Sequence, residues 1–225
     1  MKLKAYYRNF PWDILRGYAE QTYSQEGEDM VLQRIFDTVK RGFYIDVGAL
    51  HPKRFSNTYH FYRKGWNGIN IDAMPGSMRL FNRLRPRDIN IEAAVAKEPG
   101  TLVYFVFNDP ALNTFDGNLA KERSSDKSYV VQKHTLRTRT LREILDKSLP
   151  KGQTIDFMTV DVEGFDMQVL QSNNWERYRP RYLLVESTAT SCSDVQKTEL
   201  HRFLNEKRYE FIGKTVLTTF FRERS

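Results

Sequence analysis

The stretch YIDVGALHPKRFSNT, residues 44–58, decides the fold. With Phe43 in front of it, the run Phe43-Tyr44-Ile45-Asp46-Val47 is short and apolar, the pattern of a strand buried on both faces. Gly48 follows, where the backbone can turn tightly against a ligand. Upstream, Val31, Leu32, Ile35, Phe36 and Val39 repeat at helical spacing from Gly27, and Arg41-Gly42 ends that helix. Downstream, Asn67–Asp72 and Ile89–Val95 read as a second and third strand, with a helix over Ser77–Arg85 stopped by Pro86.

The remainder continues the alternation. Glu98-Pro99-Gly100 is a turn before the β-rich Thr101–Phe107, and Pro110–Ser128 is polar and irregular, suited to an active-site loop. Val130–Thr138 is strand-like. Thr140 and Glu143 form a capping box that opens a helix, and Ser193 with Gln196 repeats the signature before Leu200, Phe203 and Leu204. Ile155–Val162 and Tyr182–Glu186 read as buried strands. Tyr209–Ile212 and Val216–Phe221, joined by Gly213-Lys214, read as an antiparallel hairpin. Strands alternating with helices imply an α/β sandwich around a mostly parallel, seven-stranded sheet with right-handed crossovers, closed by a C-terminal antiparallel hairpin. No repeat or linker divides the chain. The expectation is a single domain over residues 23–225, with residues 1–22 as a cover segment.

Composition narrows the class. The 225 residues are 40% hydrophobic and 28% charged, as in ordinary soluble proteins. A formal charge of +7 favours anionic partners or simply solubility. One cysteine, Cys192, excludes a disulfide framework and a cysteine-rich zinc site. The first twenty residues lack the continuous apolar run of a signal peptide, and no later stretch would cross a bilayer, so a cytoplasmic location is expected. The early aromatics with Ile14 and Leu15 suit a cover over the core better than a membrane or subunit contact. The basic clusters Arg79–Arg87 and Lys133–Arg142 read as solvated faces rather than tracks for nucleic acid.

In such a fold a ligand sits at the carboxyl ends of the strands, and acids stand there. Asp46 offers a carboxylate at the mouth of the first strand, Asp72 stands after the second and Asp161-Val162-Glu163-Gly164 after a later one. Asp72 has the spacing of a carboxylate that binds ribose hydroxyls. The first loop lacks the second and third glycines of a dinucleotide fingerprint, which a pyrophosphate needs for close backbone approach. S-adenosylmethionine carries no phosphate, so one glycine with acidic partners for its ammonium and ribose suffices.

The segments YSQEGEDMVL, YIDVGALHPKRFSNT, GINIDAMPGSM, INIEAAVA, RTLREIL and FMTVDVEGFDMQVLQS, in this order, resemble the FkbM family of S-adenosylmethionine-dependent methyltransferases from about Tyr23 to Glu186. The resemblance implies a class I methyltransferase fold. Asp46, Gly48 and Ala49 match the family's cofactor loop, Asp72 its ribose acid, and Glu92 and Ala93 its adenine edge. Ser24 and Gln25 match the segment over the methionine end, and Asp161 and Glu163 its acidic motif at the reaction centre. Where many members have Asn-x-Gly after DVGA, this chain has Leu50-His51-Pro52. The resemblance implies O-methylation of a sugar, glycan or secondary-metabolite hydroxyl.

For that chemistry His51, in the loop after the cofactor glycine, is the first candidate base, because imidazole titrates near working pH. Asp161 is the second. Asp161 and Glu163 could instead hold a divalent cation such as magnesium. Asn113, in the irregular segment, is a candidate hydroxyl ligand, whereas His60 and His134 read as structural. Asn108-Asp109-Pro110 lacks the second proline and the aromatic of an amino-methyltransferase motif. The acceptor expected is a hydroxylated small molecule or glycan, possibly anionic, and a homo-oligomer is compatible with the sequence. Two alternatives stand beside this reading: an RNA methyltransferase, supported by charge alone, and a non-catalytic binding subunit, suggested by the altered loop.

Overall fold

The computed structural model describes residues 19–224. The cover expected over residues 1–22 therefore falls largely outside the described residues. The first helix, α1 (Glu28–Ile35), is shorter than the apolar spacing implied. It is followed by β1 (Phe43–Val47), α2 (Tyr59–Arg63), β2 (Asn67–Asp72), α3 (Met78–Leu84) and β3 (Ile89–Glu92). Next come β4 (Ala94–Val95), β5 (Gly100–Phe107), α4 (Gly117–Arg123), β6 (Val130–Arg139), α5 (Leu141–Ser148) and β7 (Ile155–Val160). The rest is α6 (Asp166–Gln171), β8 (Pro180–Glu186), α7 (Cys192–Val195), α8 (Glu199–Glu206), β9 (Tyr209–Lys214) and β10 (Thr218–Glu223).

Seven strands form one sheet in the order β3-β2-β1-β7-β8-β10-β9. Strands β1, β2, β3, β7 and β8 pair in parallel, and β10 runs antiparallel to both β8 and β9. Every residue of β1 and of β7 is buried. Successive side chains leave a strand on opposite faces, and both faces carry an apolar layer. Ile45, Val47, Ile71, Met158 and Val160 pack on one side with Leu141 and Ile144 of α5. Tyr44, Phe157 and Leu184 pack on the other with Leu32 of α1 and with Phe61 and Trp66. A fully buried aromatic of this kind contributes enough that truncation to alanine costs about 3–5 kcal/mol.

Four local expectations are corrected. Ile89–Val95 is not one strand: the Ala93 amide still donates to the Asp72 carbonyl at 2.9 Å, after which Ala94 and Val95 leave β2 and pair with β6. That departure founds a second sheet, β4-β6-β5, whose long antiparallel pair β5–β6 stands apart from the main sheet as an arm. Within Pro110–Ser128 the chain forms α4, because the Asp116 carboxylate accepts from the amides of Asn118 at 2.7 Å and Leu119 at 3.1 Å. The capping box at Thr140 and Glu143 is present. Ser193 caps nothing, however: Ser191 caps α7 and Thr198 caps α8. Gly213 and Lys214 belong to β9, and the turn falls at residues 215–217.

Candidate active site

Strand order reverses between β1 and β7, and a cavity of about 760 Å3 opens at the carboxyl ends of the strands there. Its lining includes Gly48 after β1, Asp72 at the end of β2, Asp161 and Glu163 after β7, and Glu186 at the end of β8. The first loop is shaped by three residues in the left-handed region: Gly48 at φ 87°, Leu50 at φ 45° and Phe55 at φ 53°. Gly48 is required for a second reason. A Cβ there would fall 1.7 Å from the carbonyl oxygen of Asp161, so the loops after β1 and β7 touch only because no side chain intervenes.

Asp72 faces this loop. Its Oδ2 accepts from the Leu50 amide at 3.0 Å and its Oδ1 from the Met74 amide at 2.8 Å, and burial raises its pKa. Gln25 and Ala93 also line the cavity. Ser24 lies behind it, donating to Asp29 at 2.8 Å. Glu92 points outward and accepts from the Gly76 amide at 2.6 Å, bracing the turn that starts α3. The amides of Gly48 and Ala49 are both taken by the Ile71 carbonyl, at 2.9 and 3.1 Å. Ala49 itself packs against Met78 and Phe81.

Two expected positions are occupied differently. Asp46 does not reach the cavity. It shares the strand face of Tyr44 and accepts from Thr58 Oγ1 at 2.8 Å, and burial pushes its pKa up to about 6. His51 does not line the cavity either. Its Nδ1 accepts from the amides of Lys53 at 3.1 Å and Arg54 at 2.9 Å. Burial, then Arg54 and Lys53, lower its pKa. A neutral ring accepting at Nδ1 carries its proton on Nε2, which leaves no lone pair for a substrate.

Behind the loop lies a polar knot. Arg85 is fully buried, with Nε 2.7 Å from Asp88 and Nη2 donating to the Tyr44 hydroxyl at 2.9 Å and Thr58 at 3.0 Å. Asp88 also accepts from the Tyr44 hydroxyl, the Gly68 amide and the Asn70 side chain. Arg85 is thus no part of a solvated basic face. It fastens residues 52–58 to β1, β2 and α3.

The acidic end of the cavity is denser than the sequence suggested. Asp161, Glu163 and Glu186 each present a carboxylate oxygen, and all three lie within 4.8 Å of one another. Enclosure in the cleft, then Glu186 and Glu163, hold the Asp161 pKa well above the carboxylate range. Burial, then Glu163 and Asp166, push Glu186 up to about 8. Glu163, at φ 54°, is paired with Arg123 of α4 at 2.6 Å, and its carbonyl accepts from Thr114 at 2.7 Å. Three close oxygens of this type suit either a hard cation or a shared proton. Asn113 lines the cavity, but its side-chain oxygen is committed to the Phe107 amide at 2.8 Å. Glu186 escaped the sequence reading although it is another acid at a strand end. Tyr104, Phe115 and Arg123 carried no local signal, because only the arm's return brings them to the cavity.

A family model described as "Methyltransferase FkbM domain" matches residues 46–211. Comparison with curated proteins gives no match. Among solved structures, a proposed RNA methyltransferase from Pyrococcus horikoshii aligns over 88% of this chain and 83% of its own, at 9% identity and TM-score 0.45. A TehB-like SAM-dependent methyltransferase from Corynebacterium glutamicum aligns over 98% and 100%, at 10% identity and TM-score 0.42. Monomeric WbdD aligns over 96% of this chain and 44% of its own, at 12% identity and TM-score 0.46. Among the described residues no helix is long and apolar enough to cross a membrane.

Proposed function

The chain belongs to the FkbM family of S-adenosylmethionine-dependent methyltransferases, and on that premise we propose that it methylates a hydroxyl of a sugar, glycan or similar metabolite. The observation that carries the proposal is the carboxylate trio. A sugar hydroxyl is weakly acidic, and transfer to it needs a proton acceptor beside the reacting oxygen. Asp161 and Glu186 bind protons more tightly than ordinary carboxylates, which makes them better matched bases near neutral pH.

The residues present fit the cofactor. The cavity volume lies within the roughly 300–1,000 Å3 of small-molecule sites. Asp72, held by two amides, keeps lone pairs free for ribose hydroxyls, and Ala93 stands where an adenine edge would pass. Gln25 is placed for the methionine end, with Ser24 and Asp29 holding its segment. Asp46, Ala49 and Glu92 act through the backbone they brace. When bound, S-adenosylmethionine supplies an electrophilic methyl group on a sulfonium that leaves as a neutral thioether. Around it the chain aligns the acceptor oxygen in line with the methyl, and a carboxylate of the trio takes the hydroxyl proton as the new O–CH3 bond forms. Arg123 pairs with Glu163 beside it and opposes the rise in pKa that burial causes there.

The acidity of the cleft favours a neutral acceptor over the anionic one that the overall charge suggested. A divalent cation such as magnesium is the second reading, motivated by the three close oxygens. Incubation with methyl-labelled S-adenosylmethionine and a panel of glycans tests the proposal by mass spectrometry. Label on a glycan oxygen supports it, whereas label on nitrogen or RNA alone overturns it. Full activity after exhaustive chelation overturns the magnesium reading.

A further inference from the structure

The second sheet has no role in the mechanism above, yet it reaches the cavity at Tyr104. The phenol belongs to β5 and is 7% exposed. Its ring packs on Phe115 with centroids 4.6 Å apart, and Phe115 in turn meets Phe165 at 5.6 Å. Tyr104 and Phe115 both line the cavity. The segment is held there by paired bonds between Phe105 and Thr114, at 2.9 and 3.2 Å, and by Thr114 donating to the Glu163 carbonyl. Burial first, then the charge of Asp72 and more weakly that of Glu163, raise the pKa of the phenol, against a hydrogen bond with Asn113. Tyr104 therefore lines the same cavity as the β2 acid and the loop after β7.

The lining of the same cavity also includes apolar Ala93, Val95, Met74 and Leu80. Leu80 is 40% exposed although it lines the cavity, a large apolar side chain turned toward open space. A flat heteroaromatic ring bound in this cavity would cover Leu80 and find an aromatic side chain in the same lining. Such contacts favour offset or edge-on aromatic geometry and add to the area buried.

We infer that Tyr104, backed by Phe115, is a cofactor-binding residue that packs against the adenosine part of S-adenosylmethionine, so that the arm forms one wall of the cofactor site. The inference rests on the cofactor assignment of this cavity. Calorimetry with S-adenosylhomocysteine on the full chain tests it in wild type, Tyr104→Phe and Tyr104→Leu, the last keeping an apolar side chain while removing the ring. Tyr104→Phe should bind within about threefold of wild type and Tyr104→Leu about tenfold more weakly, as loss of one aromatic contact predicts. Saturation-transfer NMR adds a readout that a folding defect would not mimic: transfer to adenine H2 and H8 should fall in Tyr104→Leu relative to the homocysteine chain. Unchanged affinity and an unchanged transfer pattern in Tyr104→Leu would overturn the inference while wild-type binding upheld the cofactor assignment. Failure of the wild type to bind would overturn both.

Discussion

The carbonyl oxygen of Asp161 occupies the space that a Cβ on Gly48 would fill, at 1.7 Å. This contact sets the separation between the loops after β1 and β7, and with it the width of the cavity floor. Gly48→Ala must either move the β7 loop or lose its left-handed φ of 87°. The expected cost is about 2–4 kcal/mol, since strain and overpacking add. Thermal unfolding checks it, and a midpoint within one or two degrees of wild type would show that the loops yield freely.

Asp72 ties Leu50 to Met74 through its two oxygens. Asp72→Ala removes a charged acceptor from both amides and from any ribose, so affinity for S-adenosylhomocysteine should fall by ten- to a hundredfold, the range of charge-assisted hydrogen bonds of about 1.5–3 kcal/mol. Calorimetry reads this directly. Equal affinity would detach Asp72 from the ribose.

Glu186, held at about 8, must be ionised to accept a proton. The methylation rate should therefore rise with pH and level off above about 8. Glu186→Gln should lower turnover while affinity for S-adenosylhomocysteine stays near wild type. A rate independent of pH from 6 to 9 would exclude the trio as the base.

Asp46 carries a stability prediction of opposite sense to the usual carboxylate. Its folded pKa of about 6 lies above its ordinary 3.8, so between those values the folded state binds more protons than the unfolded one. Stability falls as pH rises through that window, and the penalty persists above it. Asp46→Asn can still accept from Thr58 and should be more stable at pH 8, on the order of 1–3 kcal/mol, with the gain gone near pH 4. Denaturant midpoints at the two pH values decide it; a loss at both would mean that the charge serves Arg85 more than its burial costs.

How much was legible follows from what each pattern encodes. Strands β1 and β7 were readable because a parallel strand covered on both faces is a short, mostly apolar run, and β2 because Ile69 and Ile71 alternate ahead of Asp72 at its end. The break at Ala93 was not, since no turn residue interrupts Ile89 to Val95 and sheet membership is a long-range choice. The helix α4 opens on Gly117-Asn118, poor helix formers, though its cap Asp116 was in view. Asp46 shows the limit of counting acids at strand ends: parity places it with Tyr44, behind the loop. His51 appeared reactive because sequence shows the imidazole but not the two amides that occupy it.

The buried pair of Arg85 and Asp88 constrains the descent of this chain as much as its folding. Removing either partner strands a charge in the interior at a cost of about 3–5 kcal/mol, whereas replacing both with packed apolar residues can be neutral or better. No single-step route leads between those states without passing through a crippled intermediate. Related chains should thus carry both residues or neither, and a sequence holding one alone marks a lineage that has rebuilt Tyr44, Thr58 or Asn70 around it.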